Sequence, residues 1–283
     1  MELDYVKCGN CVELMQNLPS ECVDLVVTSP PYDNLRNYKG YSFDFENVAK
    51  QLYRVVKKGG VVVWVVNDAT VNGSETGTSF RQALYFKDIG FNLHDTMIYK
   101  KTNPTPQKSN RYQPCFEYMF VFSKGKPKTF NPIMTEKKYL ENRKEKQYNK
   151  SVSGEQIKHE YKSSSNMKVV SNIWEYSVGL YNSTSDKEAF EHPAVFPEKL
   201  AEDHIVTWSR EGDVVLDPFC GSGTTVKMAK INYRHYIGFD ISQEYCDITN
   251  LRLSKVWYFC LFWKEFYNVF WWYSWLILWG RWY

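Results

Sequence analysis

No stretch of this 283-residue chain is both long enough and sufficiently free of charge to span a bilayer as a helix. Charge of one sign is also missing. Lys and Arg number 35 against 32 Asp and Glu, a net charge of +3, so no global basic field announces nucleic acid and any such footprint must be local. The opening residues Met1 to Tyr5 are polar, which predicts no secretory leader. The seven cysteines, at 8, 11, 22, 115, 220, 246 and 260, are odd in number and lack the spacing of a disulfide framework. That fits a reducing compartment and a cytoplasmic protein. Cys8 and Cys11 have the spacing of half a zinc site, but no second Cys or His pair accompanies them, so two free thiols and no metal are expected. A carboxylate–lysine cluster of the nuclease kind is absent too.

What is present begins with Val23 to Val27, an apolar run that reads as a short buried strand. It ends in Thr28-Ser29-Pro30-Pro31-Tyr32. Each proline fixes φ near −65° and removes an N–H, so the loop is stiff and its carbonyls are free to accept. A rigid rim of acceptors beside an aromatic ring suits a planar ligand with an exocyclic amino group, such as a nucleobase.

A second stretch completes the site. Val214 to Thr225, VVLDPFCGSGTT, reads as strand, glycine loop and helix start. Glycine lets backbone approach a ligand closely. Asp240 ends the next strand, His235 to Phe239, about where a Rossmann-like sheet places a carboxylate for ribose hydroxyls. The loop lacks the Lys of a phosphate-binding loop, which favours a nucleoside ligand without phosphates over a nucleoside triphosphate.

TSPPY followed much later by LDPFCGSGTT resembles the DNA amino-methyltransferases, which methylate N4 of cytosine or N6 of adenine, and the order of the motifs resembles their permuted β group. The resemblance covers roughly residues 4 to 255. It implies an α/β fold: a circularly permuted, Rossmann-like S-adenosylmethionine-dependent methyltransferase sheet with an inserted target-recognition region. It implies S-adenosyl-L-methionine as cofactor, double-stranded DNA as partner, a restriction endonuclease, if one exists, on a separate chain, and a homodimer as one form of assembly. Carried onto this sequence, the catalytic residues are Ser29, Pro30, Pro31 and Tyr32. The cofactor residues are Asp217, Pro218, Phe219, Cys220, Gly221, Ser222, Gly223 and Thr224, with Asp240 on the ribose. Asp217 would face the methionine amino group. Asn10 would reach the adenine, with a plain turn residue as the alternative. A Ser at the first loop position looks more like the N4-cytosine enzymes, whereas the N6-adenine enzymes more often carry Asp. The alternatives are N6-adenine methylation, methylation of RNA amino groups and a non-catalytic DNA-binding relative. A Rossmann-like dehydrogenase would explain the glycine loop but leave Thr28 to Tyr32 unused.

The rest of the chain reads as strand–helix alternation, the pattern of a doubly wound sheet. Val12, Met15 and Leu18 space an early helix, and Phe45 to Val56 a second. Lys57-Lys58-Gly59-Gly60 reads as the second helix's stop, with cations at the negative end of its dipole. Val61 to Val66 is a buried strand, and Phe80 to Ile89 a helix stopped by Gly90. His94 to Tyr99 and Phe116 to Phe122 are expected as an antiparallel pair on the sheet's edge. Cys115, after Pro114, resembles a C5-methyltransferase nucleophile in sequence only and is expected to be structural. His192 reads as a turn hydrogen-bonder, and Ser242 as the N-cap of the last helix.

Four segments are expected: 1–133 and 188–256 as the two parts of the catalytic domain, 134–187 as the target-recognition insertion, and 257–283 as an atypical tail. Lys137 to Lys168 holds nine Lys and Arg against four Asp and Glu, with Tyr139, Tyr148 and Tyr161 interleaved. That composition suits phosphate and base contacts. In the tail, 15 of 27 residues are aromatic, and Lys264-Glu265 interrupts the apolar run. It reads as an extension foreign to the fold. Deleting 257–283 is expected to leave methylation intact, and a soluble, folded truncation that no longer methylates would contradict this.

Overall fold

The computed structural model describes residues 1–31, 43–104, 106, 110–137, 145–150, 153–154, 156–161 and 166–256, with backbone alone for 145–150 and 156–161. Tyr32, the polar loop to Tyr41, Tyr139 and the tail lie outside the described residues.

In chain order the elements begin β1 (Tyr5–Cys8), α1 (Cys11–Gln16), β2 (Val23–Thr28), α2 (Phe45–Val55) and β3 (Val56–Val66). The small strands β4 (Thr70–Val71) and β5 (Ser74–Glu75) precede α3 (Thr78–Asp88), β6 (Asn92–Lys101) and β7 (Phe116–Ser123). Next come β8 (Met134–Glu136), β9 (Glu145–Lys150), β10 (Gln156–Tyr161), β11 (Met167–Val169) and β12 (Ile173–Tyr176). The chain continues through α4 (Glu198–Trp208), β13 (Val214–Asp217), α5 (Thr224–Ile231) and β14 (His235–Asp240) to a last helix, α6, at 243–256.

Eight strands form one sheet in the order β1-β14-β13-β2-β3-β7-β6-β12. Neighbours run parallel except at β7, which is antiparallel to both β3 and β6. From β13 the chain steps outward to β14, and from β2 it steps outward the other way to β3. The switch point therefore lies between β13 and β2, and ligands of such sheets bind outside the carboxyl ends at that crevice.

Both faces of the sheet are covered, which is why its strands read as near-continuous apolar runs. One core layer packs Val26, Val62, Trp64 and Phe122 with Met15, Leu52 and Phe86 of α1, α2 and α3. The other packs Leu25, Val27, Val63 and Val65 with Leu200 and Ile205 of α4 and Val226 of α5.

Three expectations change. The antiparallel pair β6 and β7 forms, but β12 adds in parallel to β6 and takes the edge. α2 ends at Val55, and Lys57 to Gly60 lie within β3, bulged between the pairings Val23–Val56 and Leu25–Val61. Lys57 pairs with Asp24 at 2.6 Å, and the cation at the end of α2 is Lys124, whose Nζ donates to the Tyr53 and Val56 carbonyls at 2.9 and 3.1 Å. The Ser242 hydroxyl caps nothing: it is buried with no partner among the described residues.

Residues Asn131–Ser171 form a compact unit of their own. In it β8 pairs antiparallel with β11, and β9 with β10, Lys146 standing opposite Glu160. The sequence lacks apolar periodicity here because antiparallel pairing is satisfied through the backbone. Residues 172–187 group with the sheet. Among the described residues no helix is long and apolar enough to cross a membrane.

Candidate active site

Two loops leave the carboxyl ends of adjacent strands, Ser29-Pro30-Pro31 after β2 and Pro218 to Gly223 after β13. They are tied from beneath. The Thr28 hydroxyl, 0% exposed, donates to Asp217 Oδ1 at 2.6 Å, and the Phe219 N–H reaches the same oxygen at 3.1 Å. Thr225 Oγ1 donates to the Val27 carbonyl at 3.0 Å. Burial pushes the Asp217 carboxyl up to about 6, against the hydrogen bonds from Thr28, Phe219 and Thr225.

The second loop is also held to β14. Cys220 N–H donates to the Phe239 carbonyl at 2.8 Å, and Gly223 N–H closes the turn on the Cys220 carbonyl at 2.6 Å. Asp240 accepts from Gly221 N–H and from Ser242 N–H, both at 2.9 Å, and burial raises its pKa. Gly223 has φ +82°, and a Cβ there would stand 2.4 Å from Thr249 Cγ2. Gly223→Ala therefore strains the backbone and drives α6 off the loop. The expected cost is about 1–3 kcal/mol of stability, read by urea unfolding; an unchanged midpoint would contradict it.

Above the loops lies a cavity of about 1870 Å³. Ser29, Pro30 and Pro31 line one part of it, and Pro218, Phe219, Cys220, Gly221, Ser222, Thr224 and Asp240 another. The volume exceeds what one small ligand needs, so a cofactor and a second planar group fit together. Asp217 and Gly223 are not in the lining; Asp217 is 1% exposed and fastens the two loops from below. Asn10 lines the cavity while its Oδ1 accepts from Val12 N–H at 2.9 Å, capping α1. His192 makes the expected turn: its Nδ1 lies 2.9 Å from the Ala194 carbonyl and 3.1 Å from the Ala194 N–H.

The lining is suited to a nucleoside. Thr224 Oγ1 and Ser242 Oγ are buried hydroxyls with no partner among the described residues, and both residues face the cavity beside Asp240. Phe43, Phe45 and Tyr85 add an aromatic wall, with the Phe43 ring edge-on to Phe219 at 5.4 Å. The sequence singled out none of these three, because the helical spacing of Phe45 marks a core position as readily as a site. Among the described residues no group of three His, Cys, Asp or Glu could hold a metal ion.

The family model for DNA methylases of the N6/N4 methyltransferase type matches residues 23–251. This chain is a DNA methylase of that family. It is 58% identical over 245 residues to the orphan methyltransferase M.BamHII of Bacillus amyloliquefaciens, covering 86% of this chain and 92% of that one. It is 30% identical over 263 residues to the Type II methyltransferase M.HpaI of Haemophilus parainfluenzae, covering 88% and 73%. Among solved structures, the cytosine-N4-specific PvuII DNA methyltransferase superposes with a TM-score of 0.64 at 22% identity, covering 89% of both chains. A Thermus thermophilus DNA modification methylase, in complex with S-adenosyl-L-methionine, superposes with a TM-score of 0.57 at 25% identity, covering 89% of this chain and 95% of that one. The eight-stranded sheet of this methylase is thus a shared framework, and both loops leave it at the switch point of the strand order.

Proposed function

We propose that this DNA methylase transfers a methyl group from S-adenosyl-L-methionine to the exocyclic N4 of cytosine in duplex DNA. The observation that carries the choice of base is Ser29, a hydroxyl rather than a carboxylate at the first loop position, lining the cavity at the end of β2. The cofactor supplies an electrophilic methyl group when bound. Its adenosine is assigned to the Phe219–Gly223 loop, with Asp240, Thr224 and Ser242 toward the sugar and Asn10 beside them. Asp217 is assigned a positioning role: it holds Thr28 and Phe219, and so the spacing between the two loops.

The target base must leave the helix to reach such a cavity. Ser29 Oγ and the Pro30 carbonyl accept from its amino group, and Pro31 keeps that rim stiff. Tyr32 is assigned to stacking on the base from its place in the motif. An arylamine nitrogen is a poor nucleophile because its lone pair is delocalised into the ring. Acceptors that hold its two protons out of the ring plane localise the lone pair toward the methyl group. The chain's contribution is then positioning and a fixed electrostatic environment. The basic composition of the Asn131–Ser171 unit supports its assignment to DNA contact. The name of the 58%-identical relative, an orphan methyltransferase, supports action without a paired endonuclease.

The test is purified protein with methyl-labelled cofactor and either duplex DNA or RNA, followed by digestion to nucleosides. Label in N4-methylcytosine from duplex DNA is expected; label in adenine, or in RNA alone, would contradict the proposal.

A further inference from the structure

Behind the second loop, away from the cavity, four charges are buried together. Arg252 of α6 is 0% exposed and uses its whole fork. Nε donates to Asp186 Oδ2 at 2.8 Å, Nη2 to Glu198 Oε1 at 2.5 Å and to Thr184 Oγ1 at 3.4 Å, and Nη1 to the Ser222 carbonyl. Lys227 of α5, 9% exposed, donates to the same two carboxylates at 2.8 and 2.7 Å. Two cations balance two anions, the condition under which buried charge is tolerated.

The position of the anions gives the cluster its meaning. Asp186 and Glu198 stand at the two ends of the segment 187–197, whose His192, Ala194 and Phe196 line the cavity. That segment rests on the second loop: His192 Nε2 lies 2.9 Å from where a Cβ on Gly221 would be, and the His192 ring meets Tyr245 of α6 edge-on at 4.4 Å. One guanidinium therefore grips both ends of the segment on one side of the cavity and the Ser222 carbonyl on the other.

We propose that Arg252 is a positioning residue for the cofactor: it sets the separation between the 187–197 segment and the Ser222 loop, and so the affinity for S-adenosyl-L-methionine, without touching it. This rests on the cofactor assignment above. Lysine cannot replace the fork, because an ammonium is a point donor while the fork presents five N–H groups in a fixed plane. Arg252→Lys keeps the cluster neutral but cannot reach all four acceptors.

The experiment titrates S-adenosyl-L-methionine into the wild-type full chain, Arg252→Lys, Thr184→Val and Val62→Ala, the last a core change in β3 outside the cavity lining that controls for lost stability. A charged hydrogen bond lost from the support corresponds to about 10- to 100-fold in affinity. Arg252→Lys is expected to raise Kd by that factor, with turnover at saturating cofactor within about threefold of wild type. Thr184→Val, a milder change that keeps all four charges, is expected to raise Kd about threefold or more, and it decides the matter should Arg252→Lys not fold. Val62→Ala is expected to leave Kd unchanged. Wild-type affinity in both cluster variants, or an equal loss in Val62→Ala, would overturn the proposal alone. No binding by the wild type would overturn it together with the cofactor assignment.

Discussion

Ser29→Ala is expected to lower methyl transfer by about 100- to 1000-fold while leaving cofactor affinity unchanged. The magnitude is that of removing one preorganised group from the point where charge develops. Ser29 directly follows β2, whose last residue, Thr28, is buried and tied to Asp217. The Ser29 backbone is thus held from below, and the two prolines after it stiffen the rim. Removing the hydroxyl changes neither support, so the protein should fold and bind cofactor through the loop after β13 as before. Single-turnover kinetics with preformed protein–DNA complex separate the chemical step from binding. A Ser29→Ala protein that transfers methyl groups within tenfold of wild type would remove Ser29 from the mechanism.

The second large effect is on stability and its pH dependence. The Asp217 carboxyl is raised from 3.8 to about 6 by burial, so the folded state binds its proton more tightly than the unfolded chain does. Its contribution to stability is therefore fully present below about pH 3.8 and is lost as pH rises through about 6. A shift of about two units corresponds to about 3 kcal/mol across that window. Asp217→Asn keeps an acceptor for Thr28 Oγ1 and the Phe219 N–H but carries no charge. Above pH 7 it should be more stable than wild type by about 1–3 kcal/mol, with the advantage vanishing near pH 4. Burial acts on His204 in the opposite sense, lowering it to about 3, so its contribution is lost as pH falls below about 6.5. That contribution is common to both proteins and cancels in their difference. Urea unfolding from pH 4 to 8 reads that difference directly, and a difference independent of pH would mean that Asp217 is not titrating in the folded protein.

These two expectations draw on different amounts of sequence information. Both loops were legible because proline stiffening and a glycine turn each leave a local signature at the end of an apolar strand. Their adjacency followed from the permuted order of the motifs. The bond that fastens them, Thr28 to Asp217, spans 189 positions and leaves no local trace. Asp217 therefore read as a ligand contact, whereas it sits beneath the cavity floor. The Lys57-Lys58 pair illustrates the same limit: charge next to a helix end suggested a dipole contact, but Lys124, from the end of another strand, reaches the α2 carbonyls. β12 at the sheet edge was missed because four residues, Ile173 to Tyr176, are too few to show periodicity. Arg252 gave no signal at all, since a buried arginine and a surface arginine on a helix look alike until their partners converge.

The most direct measurement is the nucleoside composition of plasmid DNA from cells expressing the full chain, with Ser29→Ala alongside and single-molecule sequencing to place the modified base. N4-methylcytosine in one defined motif, absent with Ser29→Ala, is the result expected from the geometry at the end of β2. N6-methyladenine would contradict the assignment of the base, and an absence of methylated bases from a folded protein that binds the cofactor would contradict the assignment of DNA as its substrate.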